Sequence, residues 1–201
     1  ALNNSWCPFF FEDMKQGNRE NLREKAGNFL ELFTVLSAGF VLLASEVYRY
    51  VYVSRDFWGS TMLIPIFVSS YYTNFLCTFP VNFEYYHKKT KVVSIITIVS
   101  SLINVGLNYL LILRIGMAGA AVATLISHSL QLTLHYLYVR FALGGKEYPF
   151  PLKMWVGYAA VFAAVAVASV AADGLWLARW GLGAAVGLWE LLRIRKRKVL
   201  I

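Results

Sequence analysis

The sequence has 201 residues, is 58% hydrophobic and only 15% charged, and carries a formal net charge of +8. Because an average soluble domain is about 45–50% apolar and about 25% charged, this composition excludes a disordered chain and argues against a soluble globule. Two cysteines are too few for a disulfide scaffold. The class that remains is an all-α, polytopic bundle of membrane helices.

The composition of the N-terminal segment 1–27 indicates the end of one membrane span followed by a cytoplasmic loop. Residues 1–11 are rich in apolar and aromatic side chains, as in the last turns of a span, whereas residues 12–27 are polar and charged. No basic region precedes an apolar core and a small-residue cleavage site, so no signal peptide is predicted. We therefore expect the chain to be the C-terminal part of a longer protein.

Six further stretches are long and apolar enough for a helical span, which needs about 20 residues to cross about 30 Å of hydrocarbon. The second stretch contains Pro65 and Pro80, which membrane helices tolerate as kinks. The sixth contains Arg179, whose side chain we expect to reach one membrane interface. The predicted spans are 28–50, 59–83, 92–113, 117–139, 154–172 and 174–192.

The basic residues predict the orientation of the bundle. Of the 19 Lys and Arg residues, 15 lie in four segments that six spans place on the same side of the membrane. Because cytoplasmic loops are rich in Lys and Arg, this side, with the C-terminus, is predicted to be cytoplasmic. The Lys and Arg residues are clustered between apolar stretches, and this placement also argues against nucleic-acid binding. The four segments are 15–25, 88–91, 140–153 and 193–198.

A loop with two glycines and two prolines divides the predicted bundle. This cytoplasmic linker at 140–153 combines turn and break signals. The sequence therefore predicts a four-helix part at 28–139, two extra C-terminal helices at 154–192 and a basic cytoplasmic tail at 193–201.

The third and fourth spans are predicted to form a tight antiparallel hairpin. Only the segment 114–116 separates them, which is too short for any other arrangement. The fourth span opens with small residues at intervals of four, which lets the backbones of two membrane helices approach closely. These small residues are Gly116, Ala120 and Thr124 on one face and Gly119 and Ala123 on another.

Polar side chains recur at intervals of three or four in the second, third and fourth spans, which places each set on one helix face. Because unpaired polar groups are costly in hydrocarbon, such faces meet protein or water. Taken one at a time, each of these polar residues is explained by a hydrogen bond to a neighbouring helix. Taken together, three polar stripes on neighbouring helices favour a hydrated cavity that admits a polar substrate. They are Ser70, Asn74, Thr78 and Asn82; Ser94, Thr97, Ser101, Asn104 and Asn108; and Thr124, His128, Gln131 and His135.

Ionisable residues in or near the spans have two interpretations each. Glu46 either pairs with Arg49, three residues later, or serves as a coupling or substrate carboxylate. His128 lies deeper and is either a proton relay or a hydrogen-bond partner of a neighbouring span. The lysines at 88–91 either set the topology at anionic lipid or contact a diphosphate.

Signatures of enzymatic chemistry are absent from the sequence. Cysteines and histidines show no zinc-ligand spacing, and the three histidines have no nearby set of carboxylates. The sequence also lacks a phosphate-binding GxxxxGK[ST] loop, a GxSxG nucleophile elbow and an Asp-x-x-Asp pair for a metal-dependent diphosphate transferase. We therefore expect a non-enzymatic protein without a cofactor or a metal site.

The segment from Asn104 to Ser127 resembles a signature of polysaccharide flippases of the multidrug/oligosaccharidyl-lipid/polysaccharide exporter superfamily. In that family an Asn and an aliphatic stretch lead to a glycine turn, and Gly-Ala-Ala-x-Ala-Thr opens the next span. Here Gly119–Thr124 matches this pattern at every position. The basic loop before the first span and the region of Glu46 are also similar to the family's second half, and the resemblance covers about residues 1–140.

The resemblance implies a transporter that moves undecaprenyl-diphosphate-linked oligosaccharide across the bacterial inner membrane for polysaccharide synthesis, by alternating access between two bundles. This chain would hold most of the second bundle and two extra helices. Its partners would be the bilayer, the lipid-linked oligosaccharide, the missing N-terminal half and polysaccharide assembly enzymes. The implied substrate-binding residues are Asn74, Asn104, Asn108, Arg114 and Lys91, and the implied ion-coupling residues are Glu46 and His128.

Two alternative functions stay open at this point. A cation-coupled drug or metabolite antiporter of the same superfamily would be favoured by an acidic residue at the centre of a span. A membrane-embedded transferase or polymerase of the same pathway would need a long extracytoplasmic loop, whereas the longest one predicted here is about 51–58.

Overall fold

The computed structural model of the chain describes residues 2–51, 55–145, 147–172 and 175–197. Across these ranges the regular structure is entirely helical, with seven α-helices and one 3-10 helix at Arg55–Leu63. The α-helices are α1 (Leu2–Gln16), α2 (Arg19–Val51), α3 (Ile64–Tyr86), α4 (Thr90–Ile115), α5 (Met117–Phe141), α6 (Leu152–Ala171) and α7 (Trp176–Arg197).

Five helical segments are long and apolar enough to cross a membrane, which confirms the predicted class of an all-α membrane bundle. They correspond to the first five predicted spans. The sixth predicted span forms α7, which is not among the five, because Arg179, Glu190 and Arg193 all fall within its first 18 residues. The five segments are Arg19–Arg49, Trp58–Tyr86, Thr90–Ile115, Met117–Phe141 and Leu152–Ala171.

The segment before the first predicted span is helical for most of its length, with one sharp turn between α1 and α2. Gly17 adopts a positive φ of 72° at this turn, a conformation that glycine reaches without strain. The side-chain oxygen of Asn18 then accepts a hydrogen bond from the Asn21 backbone amide at 3.3 Å and caps α2. Asp13 of α1 pairs with Lys25 of α2 at 2.9 Å, which holds the turn closed.

The described chain divides into two compact units that each combine distant parts of the sequence. Unit 1 comprises residues 1–28 and 70–155, and unit 2 comprises residues 29–69 and 156–201. Unit 1 therefore contains α1, the first turns of α2, most of α3, and the pair α4 and α5. Unit 2 contains the rest of α2, the 3-10 helix, and nearly all of α6 and α7.

An aromatic cluster forms the core of unit 1. The rings of Phe79 and Phe150 meet edge to face at 5.2 Å, and Trp6 of α1 lies 5.7 Å from Phe79. Such edge-to-face and tilted contacts stabilise aromatic pairs beyond the area they bury. The cluster therefore connects α1, α3 and the loop before α6. Its members are Trp6, Phe10, Phe79, Phe83, Tyr148, Phe150 and Trp155.

Helices α4 and α5 form the tight hairpin that the sequence predicts. Gly116 is the single residue between them and has a positive φ of 61°. A methyl group added at Gly119 would come closer than 3.0 Å to the Leu111 backbone, which leaves no room for any larger residue. The small-residue face of α5 thus brings the two helix backbones into direct contact.

Unit 2 is built around the C-terminal two thirds of α2. Val41 and Leu42 of this segment are buried, as is Phe162 of α6. Helix α7 lies against α2, since a methyl group at Gly183 would be at ordinary van der Waals distance, 3.6 Å, from the Leu43 side chain.

Candidate functional site

Helix α5 contacts two helices of unit 1 through different faces. Gly119 and Ser127 are eight residues apart on one face and meet α4. His128 and His135 are seven residues apart on the next face and meet α3. Ser127, His128 and His135 of the fourth predicted span therefore lie between helices of this unit.

The two asparagines predicted to bind substrate on α4 make hydrogen bonds within the hairpin. Asn104 donates from Nδ2 to Ser127 Oγ at 3.2 Å, across to α5. Asn108 donates from Nδ2 to the backbone oxygen of Asn104 at 2.9 Å and to its Oδ1 at 3.0 Å. Both side chains are half-buried. This geometry corresponds to the structural interpretation of the stripe, in which amides connect neighbouring membrane helices.

The remaining predicted substrate-binding residues are exposed and lie far apart. Asn74 is on the surface of α3, whereas Lys91 and Arg114 are at opposite ends of α4. At 1.5 Å per residue, the two basic residues are about 35 Å apart along the helix. Thr97 and Ser101 of the same stripe are also exposed on α4. The described chain therefore does not bring the predicted binding residues together at one point.

His128, predicted to couple ions, makes the alternative interaction that the sequence allowed. Its Nδ1 lies 2.9 Å from the backbone oxygen of Ser70 on α3. A backbone carbonyl is only an acceptor, so Nδ1 carries the proton and donates it. The ring is half-buried and lies 6.4 Å from the ring of Tyr71. His128 thus connects α5 to α3.

Glu46, the other predicted ion-coupling residue, forms a buried ion pair that the sequence did not predict. Arg179 of α7 donates from Nη1 to Glu46 Oε1 at 2.9 Å and from Nη2 to Ser45 Oγ at 3.2 Å. The side chains of Arg179 and Glu46 are only 2% and 7% exposed. The expectation that Arg179 reaches the surface at a membrane interface is therefore wrong. Arg49, the expected partner, instead lies 3.5 Å from Thr61 Oγ1. Because a buried charge is costly alone, the pairing explains how both ions stay inside unit 2.

The cavity beside this ion pair is too small to hold a sugar. It is lined by Ser45, Thr61 and Ser169 together with Arg179, and its volume is about 10 Å³. A single water molecule needs about that much space. The space beside the ion pair is therefore large enough for about one water molecule and not for a substrate.

A second buried acid–base pair lies in unit 1. His135 Nδ1 is 2.9 Å from both carboxylate oxygens of Glu84, and neither side chain is exposed to solvent. The sequence showed no set of carboxylates near the histidines, and it did not identify this single partner of His135. The two residues are 51 positions apart, so the fold alone brings them together. The signal that could have found them is that an ionisable residue inside a span usually has a partner there.

The Glu84–His135 pair lies next to the aromatic cluster. Phe83 packs edge to face on Tyr148 at 5.1 Å, and Trp155 packs on Tyr148 at 5.8 Å. Burial raises the pKa of the Tyr148 phenol well above its ordinary value, so this group stays neutral. Cys7 of α1 donates from Sγ to Asn82 Oδ1 at 3.9 Å. The phenol beside the pair is therefore uncharged.

Within the described ranges, no group of three or more His, Cys, Asp or Glu residues could hold a metal ion. Two pairs of buried ionisable groups occur instead, Glu46 with Arg179 and Glu84 with His135, and each pair joins two helices. Such pairs can carry charge or a proton inside a membrane protein.

No protein-family model matches the chain, and no solved structure matches it. Over 107 residues the chain is 29% identical to a protein of Haemophilus influenzae described as an uncharacterized membrane protein. The aligned residues are 53% of this chain and 26% of that protein, so the chain spans about a quarter of the relative's length. Together with the five apolar helices, this similarity identifies the chain as a multi-pass membrane protein.

Proposed function

We propose that the protein carries undecaprenyl-diphosphate-linked oligosaccharide across the bacterial inner membrane, as the C-terminal half of a polysaccharide flippase. The resemblance of residues 104–127 to the flippase signature supports this proposal, and so does the multi-pass helical architecture. The C-terminus would then be cytoplasmic, and the N-terminal half would supply the opposite wall of the transport path.

The observation that carries the proposal is a set of exposed polar side chains on helices that are otherwise apolar. Asn74 on α3 and Thr97 and Ser101 on α4 are exposed and make no side-chain hydrogen bond within the part of the chain that the structure describes. Hydrocarbon offers amides and hydroxyls no partners, so lipid is an unfavourable environment for these faces. A hydrated cavity between two bundles would satisfy them and would also replace the water around a sugar head group.

The positions of the basic residues on α4 fit a passenger that crosses the whole membrane. Lys91 lies at the first turn of α4 and Arg114 at its last, both exposed. Because they are about 35 Å apart, one diphosphate cannot contact both at once. Each would therefore meet the diphosphate at a different stage, one at the cytoplasmic leaflet and one at the outer leaflet. The half-buried Asn104 and Asn108 lie between these two ends.

The test is transport by this chain together with its N-terminal half, in vesicles that contain undecaprenyl-diphosphate-linked oligosaccharide. The fraction of sugar that becomes accessible to an impermeant glycosidase reports translocation. We expect the substitutions Asn74→Leu and Ser101→Ala to slow translocation about tenfold each, a loss of about 1.4 kcal/mol in transition-state stabilisation. A matched control is Ser129→Ala, since that exposed hydroxyl already bonds to the Leu125 carbonyl of its own helix at 2.8 Å.

Two results would overturn the proposal. Sugar accessibility in vesicles with the protein could equal that in empty vesicles. Alternatively, Asn74→Leu and Ser101→Ala could transport as fast as Ser129→Ala, which would show that the exposed polar faces do not meet the passenger.

One observation favours a second candidate, a cation-coupled drug or metabolite antiporter. Glu46 and Glu84 are buried carboxylates within the candidate spans, and ion-coupled carriers use such groups. Efflux of a small cationic dye from the same vesicles, driven by a proton or sodium gradient, separates the two functions. Dye efflux without oligosaccharide translocation would favour the antiporter.

A further inference from the structure

We propose that Glu84 and His135 together form one proton-binding site in unit 1, which exchanges its proton with the water at the C-terminal end of α3. Neither residue was predicted to couple ions. The use of this proton in transport rests on the proposed function, whereas proton binding by the pair does not.

The geometry of the pair makes it a single site. His135 Nδ1 is 2.9 Å from both oxygens of the Glu84 carboxylate, so a proton between them is shared. The other ring nitrogen, Nε2, is buried and has no hydrogen-bond partner in the described residues. When Nε2 also carries a proton, the pair is neutral overall. When that proton leaves to water, Nδ1–H still bonds the carboxylate and the pair carries one negative charge.

The groups that face the pair do not compensate that negative charge. Cys77 of α3 and Tyr148 of the loop before α6 are its electrostatic neighbours, and Tyr136 of α5 lies beside Tyr148. None of these three groups can become a cation. Four further titratable or charged groups on neighbouring elements have partners of their own: Cys7 of α1 with Asn82, Asp13 with Lys25, Arg23 of α2 with the Pro149 carbonyl, and His87 with Glu147. Arg140 of α5 and the lysines that follow α3, Lys88 and Lys89, are exposed.

The neutral, proton-loaded pair is therefore the form that suits the closed interior of unit 1. An uncompensated buried charge is strongly destabilising, so proton release requires water to reach the pair. The path for that water is short. Glu84 is two residues from the end of α3, and Lys88 and Lys89, one turn further on, are exposed. Binding and release of the proton would thus accompany loosening of the contact between α3 and α5.

The test follows the imidazole rings by nuclear magnetic resonance in the protein labelled with ¹⁵N-histidine and embedded in lipid bilayers. The chain has three histidines with two ring nitrogens each, so three pairs of ring signals are expected and single substitutions assign them. Spectra are recorded from about pH 5 to about pH 9, the range in which histidines change charge. We expect one transition at His135, and we expect Glu84→Gln to abolish it or to move its midpoint by about one pH unit or more.

The matched control is His87→Gln, because His87 faces an exposed carboxylate of Glu147 at 3.8 Å and lies outside the pair. The His135 transition should be unchanged in this variant. If Glu84→Gln does not fold, Glu84→Asp provides the same comparison, since its carboxylate is one methylene farther from the ring. A His135 transition with the same midpoint in the wild type and in the Glu84 variant overturns the proposal, as does the absence of any transition.

The vesicle assay then tests the use of the proton. A pH gradient should accelerate oligosaccharide translocation by the wild type and should not accelerate it in Glu84→Gln. If the wild type moves no oligosaccharide while the pair still titrates as one site, the proposed function fails and the proton site stands. If Glu84→Gln keeps the full acceleration, its role in coupling fails and the proposed function stands.

Discussion

A buried acid–base pair occurs among the described residues of each unit, and the two pairs differ in their basic partner. In unit 2 the guanidinium of Arg179 binds Glu46 at 2.9 Å, and in unit 1 the imidazole of His135 binds Glu84 at the same distance. A guanidinium keeps its charge at every physiological pH, whereas an imidazole can gain or lose a proton. The first pair is suited to holding two helices together permanently, and the second is suited to a change of state.

The neighbours of each pair strengthen this difference. Arg179 also donates to Ser45 Oγ and to the Val41 carbonyl, at 3.2 and 3.3 Å, so its charge is hydrogen-bonded in several directions. The buried Nε2 of His135 has no hydrogen-bond partner among the described residues, and neither does the buried Oε2 of Glu46 in the other pair. The same type of contact between membrane helices therefore serves different purposes according to the residue that supplies the base.

The largest effect is expected from Glu46→Gln in unit 2. This change leaves the Arg179 guanidinium buried without its counter-ion, and Arg cannot become neutral. We expect a loss of about 3–5 kcal/mol in the free energy of unfolding, constant from about pH 5 to about pH 9. Denaturant unfolding in detergent micelles measures it. The double variant Glu46→Leu with Arg179→Leu should recover most of the loss, and equal stability of Glu46→Gln and wild type would show that the pair is hydrated.

The same substitution in unit 1, Glu84→Gln, is expected to cost less and to depend on pH. The remaining His135 can stay neutral, so the loss should be about 1–3 kcal/mol at neutral pH. In this variant a protonated ring would be an uncompensated buried charge, whereas the same ring in the unfolded chain is in water. Stability relative to the wild type should therefore fall further as the pH decreases. If the free energies of unfolding of Glu46→Gln and Glu84→Gln changed with pH in the same way, the proposed difference between the two pairs would be wrong.

Replacing Gly119 by Ala tests the packing of α5 on α4. The loss in unfolding free energy can then be compared with the loss from breaking the ion pair between α5 and α3. The new methyl group would meet the Leu111 backbone closer than 3.0 Å, so the hairpin must open slightly. We expect a loss of about 1–3 kcal/mol in unfolding free energy. Gly106→Ala on α4 is the matched control, because nothing lies within 4 Å of its added methyl group. Similar stabilities of the two variants would contradict the close approach.

The smallest effect is expected from the hydrogen bond between Asn104 and Ser127. In membrane proteins such bonds between helices contribute about 0.6 kcal/mol on average and at most about 1.7. A double-mutant cycle with Asn104→Ala and Ser127→Ala should give a coupling energy in that range. A coupling energy near zero would leave Asn104 free to contact a passenger instead, and the translocation assay would then decide its role.

Helices and the hairpin could be predicted because they depend on neighbouring residues. Apolar runs of sufficient length define the spans, and one glycine between two such runs permits only a tight turn. The prediction for α7 was less accurate because an apolar average hides the charges of Arg179 and Arg193. Span identity thus follows from local composition only where charges are few.

The partners of buried charges could not be predicted in the same way. From the sequence, Arg49 is the obvious partner of Glu46, since the two are three residues apart on one helix. The structure gives that role to Arg179, 133 residues away, and pairs Glu84 with His135 across 51 residues. Both contacts depend on which helix faces pack together, which a single sequence does not specify.

The one-residue connection at Gly116 has a consequence for the biogenesis of the protein. With a single residue between them, the end of α4 and the start of α5 must lie at the same membrane surface. The two helices therefore cross the bilayer in opposite directions, and the orientation that α4 takes during synthesis fixes the orientation of α5. A change that reverses α4 in the membrane would reverse α5 with it.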